Sequence, residues 1–201
     1  MALRLRSTEG VSLGALFVYA SGLYFRGKLA YATHFAAPPI AKNTATGTGV
    51  HIITPNAGLL SPDAIVRTDD VRAFAQTSID LANDEYRRPL EQTARQLRTE
   101  LLDAQVVLLG SIASPKYVDV LLEIFGERLC FPVAFVGRGD MSRGGLLLRQ
   151  VAAGEELEYA PIAGAVRHGA RPPKLPPRGP ANGEHYDNVV KRSPKAGGDR
   201  S

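Results

Sequence analysis

The chain has 201 residues, 44% of them hydrophobic, which is ample for one packed core and short for two. Its single cysteine excludes an internal disulfide framework and fits a reducing, cytoplasmic setting. The net charge of +4 is uneven: from 165 to 201 eight Lys/Arg face three Asp/Glu, giving +5, so the remainder carries −1 and offers no globally basic face for nucleic acid.

Arg4 and Arg6 precede an apolar run from 11 to 25, the grammar of an export signal. Glu9 and Gly10 interrupt it, Ser12, Gly14, Ser21 and Gly22 dilute it, and it is short of the ~20 residues a spanning helix needs. We therefore expect a helix through residue 36, with Tyr24, Lys28, Tyr31 and Phe35 at helical spacing and Pro38-Pro39 as its stop. Residues 42–49 read as an exposed Thr/Gly/Asn loop. A β-branched strand spans 50–54, followed by a turn with Asn56 and Gly58 and a connection holding Pro62-Asp63. A short helix over 69–75 takes Thr68 or Asp69 as its cap.

The clearest helix is 85–102. Leu90, Ala94, Leu97 and Leu101 form one apolar face, Glu91 and Arg95 an i,i+4 pair, and Pro89 falls in the first turn. Residues 105–110 read as a strand buried on both faces. Ser114 as cap and Pro115 at the first position start a helix that Gly126 closes. A third strand over 128–136 holds Cys130, an inert buried thiol, and leads to a Gly-rich loop over 137–145. A helix then begins near Ser142 and ends by Gly154, before a short strand over 155–161.

This order predicts an α/β fold, a three-layer sandwich with a mostly parallel sheet. The domain spans 1–164, and 165–201 is a Pro/Gly-rich, disordered basic tail able to contact nucleic acid. No stretch calls for a membrane partner, and no motif implies a cofactor. The four histidines lack metal-ligand spacing, so no metal site is expected.

Ligands of open α/β sheets bind at the carboxyl ends of the strands, here 54–58, 110–114 and 137–145. The third loop sets Arg138 and Arg143 around Asp140, with Gly137, Gly139 and Ser142 beside them. It reads as a phosphate cradle at a helix start, or as a tight loop whose arginines are solvated or pair with Asp140. It matches neither the Walker A nor the G-x-G-x-x-G spacing. Gly110, Ser111, Ser114 and Lys116 are anion-binding candidates, with plain capping by Ser114 as the alternative. Asn56 reads a ligand edge or forms a turn, and Asp63 is a general-base candidate. Tyr24 with Arg26 and Lys28 stacks a base and holds phosphate, or is half core and half solvated face.

Taken together, residues 21–32, 52–63 and 106–110 resemble a group of bacterial proteins related to peroxide-stress YaaA-like proteins and to the accessory domain of archaeal tRNA-guanine transglycosylase and archaeosine synthase. In those relatives a strand ends in a Ser/Thr-x-x-x-Gly-Leu turn followed by Pro and an acidic residue, matched here by Thr54, Gly58, Leu59, Pro62 and Asp63. The resemblance covers about residues 15 to 150. Together with the three strand-end loops it points to a nucleotide- or nucleic-acid-directed enzyme acting at an N-glycosidic or phosphate-bearing centre; Asp140 or Asp63 is the acid/base candidate on the reading of the residues above, not one carried over from the relatives. The alternative is a non-catalytic binding module for a nucleotide, nucleic acid or protein.

Overall fold

The computed structural model describes residues 2–5, 7, 9–38, 49–167, 169–170, 172–173 and 175. A single turn, α1 (Ala2–Leu5), precedes β1 (Val11–Ser12) and α2 (Leu13–Phe35). Ser12 caps α2 by accepting from the Ala15 amide at 3.4 Å. Gly22 interrupts the helix at φ 62°, ψ −139°, a left-handed conformation that glycine adopts without steric cost. The loop expected at 42–49 lies outside the described residues, Gly49 excepted.

The next stretch differs from expectation. The strand at 50–54 contracts to β2 (Ile52–Ile53), which pairs antiparallel with β3 (Leu59–Leu60). Beyond it, β4 (Ile65–Val66) pairs antiparallel with β1. Two-residue strands show no alternation, so the 59–66 connection hid both. Helix α3 (Thr68–Gln76) starts after Arg67, whose amide donates to Asp70 Oδ2 at 2.8 Å.

Helix α4 (Asp84–Glu100) is capped by Asn83 and buries Leu90, Ala94 and Leu97. Leu101 closes the same stripe just past its end. Pro89 lies in the second turn, not the first. Glu91 pairs with Arg87 at 3.2 Å, and Arg95 reaches Glu123 at 3.4 Å instead. These exposed pairs contribute little to stability. Next come β5 (Val106–Val107), α5 (Pro115–Phe125), β6 (Leu129–Pro132), α6 (Asp140–Ala153) and β7 (Tyr159–Pro161).

The mostly parallel sheet is a misreading. Strand β6 pairs parallel with β5 and antiparallel with β7, and β5–β6 is the one parallel pairing among the described residues. From β6 the chain passes through α6 and returns as β7, antiparallel to β6 and not parallel to it. The fold is a mixed α/β arrangement of small sheets.

Burial divides along the strands. Val106, Leu108 and Ala160 join the α4–α5 core, while Leu109 and Tyr159 pack with Tyr31 of α2 and Leu147 of α6. A third cluster joins Leu13 and Leu16 to Ile52 and Val66. Cys130 is buried, and burial pushes its thiol pKa up. Among the described residues no helix is long and apolar enough to cross a membrane.

Contacts continue past 164. Arg167 pairs with Asp119 at 3.5 Å, Pro173 O accepts from Arg138 at 3.4 Å, and Ala170 O lies against Gly137. From 176 on, the expected disordered tail lies outside the described residues.

Candidate functional site

A cleft of about 970 Å³ opens between α2, β2, β5 and the start of α6. Its size is that of small-molecule sites. Helix α2 presents Tyr24, Lys28, Tyr31 and Phe35, the stripe whose spacing is readable in the sequence. All three strand-end segments reach it, through Thr54, through Gly110 and Ser111, and through Asp140 and Met141. Tyr86, Tyr117 and Tyr159 add further phenols.

The polar groups gather on one wall. Lys28 Nζ stands 4.1 Å from the centre of the Tyr24 ring and 5.9 Å from that of Phe25. Burial lowers its pKa, Arg143 adds to that, and Asp140 opposes it. Burial pushes the Tyr24 phenol up to about 12, against the pull of Arg143. Its hydroxyl donates to Leu109 O at 3.3 Å, and Tyr117 donates to Ser111 O at 2.8 Å. The two phenols thereby pin the end of β5, and burial raises the Tyr117 pKa as well.

The arginines are not a free phosphate cradle. Arg143 sends Nε and Nη2 to Phe135 O at 3.3 and 3.2 Å and sets Nη1 3.5 Å from Asp140, with its side chain 12% exposed. Arg138 donates to Ala134 O, Ser142 Oγ and Pro173 O. Both forks tie chain segments together, and Arg138 does not line the cleft. Gly137 serves a close approach to Ala170, and Gly139 is the exposed cap of α6, with no side-chain bond.

Other expected residues also stand away from the cleft. Asp63 is exposed between β3 and β4, and Lys116 is exposed on α5. Ser114 occupies the cap position of α5 but makes no side-chain capping bond. Asn56 sits in the β2–β3 turn and is not part of the lining. That turn is held by Thr54, which donates to Gly58 O at 2.8 Å and accepts from the Ala57 amide at 3.1 Å.

A second group on the lining escaped the sequence reading. Tyr31 and Tyr159 share a hydrogen bond of 2.7 Å, Tyr159 donates to Glu156 at 2.9 Å, and the Leu157 amide donates to Tyr31 Oη at 2.7 Å. Burial raises both phenol pKa values. The network is fully paired and fastens β7 to α2. His51 Nε2 and Tyr86 Oη are buried without hydrogen-bond partners among the described residues. Burial lowers the His51 pKa and pushes the Tyr86 phenol up to about 12. An unmet buried hydroxyl costs ~1–3 kcal/mol, so Tyr86→Phe should leave stability unchanged or raise it by ~1 kcal/mol in urea denaturation. A loss above ~1 kcal/mol would show the hydroxyl paired in solution.

Among the described residues no group of three His, Cys, Asp or Glu side chains is placed to hold a metal ion. No family model, curated protein or solved structure matches this chain.

Proposed function

We propose that the cleft binds a nucleotide- or nucleoside-like ligand, its ring among the aromatic side chains and its anionic group at Lys28. Lys28 carries this reading: it is a cation on an aromatic wall with no carboxylate at ion-pair distance among the described residues. Support comes from the three segments that resemble the YaaA-like and transglycosylase accessory proteins. Residues 21–32, 52–63 and 106–110 all contribute side chains to this one cleft, the second through Ile52, Ile53, Thr54 and Leu59.

We read the architecture as three layers, with α4–α5 and α2–α6 on opposite faces of β5–β6–β7. A reaction at an N-glycosidic or phosphate-bearing centre would use Asp140, which lines the cleft and whose charge acts on Lys28. A non-catalytic module would use the same cleft without turnover, and Asp140→Asn separates the two by abolishing turnover while sparing affinity.

Titration calorimetry of the full chain with nucleosides and their monophosphates tests the binding. Lys28→Met keeps the stem and removes the charge. It should weaken monophosphates about tenfold or more and leave nucleosides nearly unchanged, as expected when a charged hydrogen bond is lost. Failure of every compound to bind the native chain, or equal monophosphate binding by Lys28→Met, would sink the proposal.

A further inference from the structure

We infer that Lys28 is an imine-forming amine, a covalent site for an aldehyde- or ketone-bearing ligand of the cleft. The inference goes beyond the nucleotide reading, since it concerns the nucleophilicity of the amine and not the charge it offers.

Imine chemistry requires an unprotonated amine, a dry and accessible wall, and a group that moves protons. Lys28 Nζ lies on the lining of the cleft, over an aromatic ring, and engages no carboxylate directly among the described residues. Among the described residues, three titratable or charged groups act on it. Tyr24 lies on its own helix, and Asp140 and Arg143 come from α6. The Tyr24 ring and Asp140 favour the ammonium, whereas burial, the largest effect, and Arg143 favour the free amine, and the net result is a lowered pKa. Desolvation in an apolar pocket beside a second cation is an established way of activating a lysine nucleophile.

The step balances without an oxidant. The Nζ lone pair attacks the carbonyl carbon, and the C=O pair moves to oxygen, which takes a proton to give a carbinolamine. Nitrogen then loses its remaining protons as the hydroxyl leaves as water, and the C=N bond forms. Asp140, which lines the same cleft with its side chain 68% exposed and whose charge acts on Lys28, would relay those protons through water.

The test is reductive trapping of the full chain with benzaldehyde and cyanoborohydride at pH 7, mapped by peptide mass spectrometry. Lys116, exposed on α5, is the internal reference. The adduct should concentrate on Lys28 over Lys116. Its pH profile should lie lower than that of Lys116, because a depressed pKa keeps the amine free to lower pH. The preference should vanish in urea. Lys28→Arg, which has no primary amine, should lose the adduct while Lys116 labels as in the native chain. Equal labelling of Lys28 and Lys116 in the folded protein would overturn the inference, even if nucleotides bind. Selective labelling would support it even if no nucleotide binds.

Discussion

Replacing Gly144 by alanine should destabilise the protein by about 3 kcal/mol, while the same change at the next residue, Gly145, should stabilise it by ~1 kcal/mol. Both glycines lie inside α6. A Cβ on Gly144 would stand 2.8 Å from Tyr24 Cα and 2.9 Å from Leu23 O, so backbone, not a flexible side-chain tip, blocks it. The crossing is reciprocal, because a Cβ on Gly27 would stand 2.7 Å from Gly144 O. Alanine's better helix propensity offsets only ~1 kcal/mol of the cost of forcing α2 and α6 apart. At Gly145 the nearest atom is Leu175 Cδ1 at 3.7 Å, an ordinary contact, so there the propensity gain stands alone. Thermal unfolding should show a fall of about 6 to 12 °C for Gly144→Ala and a rise of ~2 to 4 °C for Gly145→Ala. Two changes of the same sign would show that the helices do not cross this closely. The crossing also concerns the cleft, since Gly27 adjoins Lys28 and Gly144 adjoins Arg143.

The same pair shows where sequence reasoning reaches its limit. Residues 137–145 read as a glycine loop because glycine disfavours a helix by ~1 kcal/mol each. Helix α6 nevertheless begins at Asp140, because tertiary contact with α2 outweighs that local preference. The face of α4 was legible for the opposite reason: four apolar residues at helical spacing stand out in an otherwise polar helix. The break at Gly22 left no signal, since an isolated glycine in a helical pattern is ambiguous.

The cleft was half legible. The strand-end rule indicated Gly110, Ser111 and Asp140, and Tyr24 was recognised beside Lys28. The rule could not say that Arg138 and Arg143 spend their donors on backbone carbonyls, because those partners depend on the path of the chain around Phe135 and Pro173. Nor does it point to Lys28, which lies on α2 and not at a strand end. A lysine on a mixed helix face reads as solvated until its neighbours at 24, 31 and 35 are noticed to be aromatic, a stripe that leaves the amine on an apolar wall.

Gly58→Ala should cost about 3 to 5 kcal/mol, a large share of the ~5–15 kcal/mol typical of a domain. Gly58 has φ +65°, where an L side chain is strained by roughly 1–2 kcal/mol. Its ideal Cβ would also overlap Pro89 O and Thr93 Oγ1, and overpacking of this kind adds ~1–3 kcal/mol. Thr93 Oγ1 is already committed. It donates to Pro89 O at 2.7 Å and accepts from the Leu59 amide at 2.9 Å, so displacing it breaks the joint between the β2–β3 turn and α4 at ~1 kcal/mol per hydrogen bond. The turn therefore needs glycine for packing against a helix, not for the approach of a ligand, and the distinction can be measured. Denaturant titration should show the midpoint of Gly58→Ala falling sharply. The folded fraction should still bind cleft ligands nearly as the native chain does, because Gly58 is not part of the lining. A variant of native stability that has lost ligand affinity would return Gly58 to the binding site and refute this account of the turn.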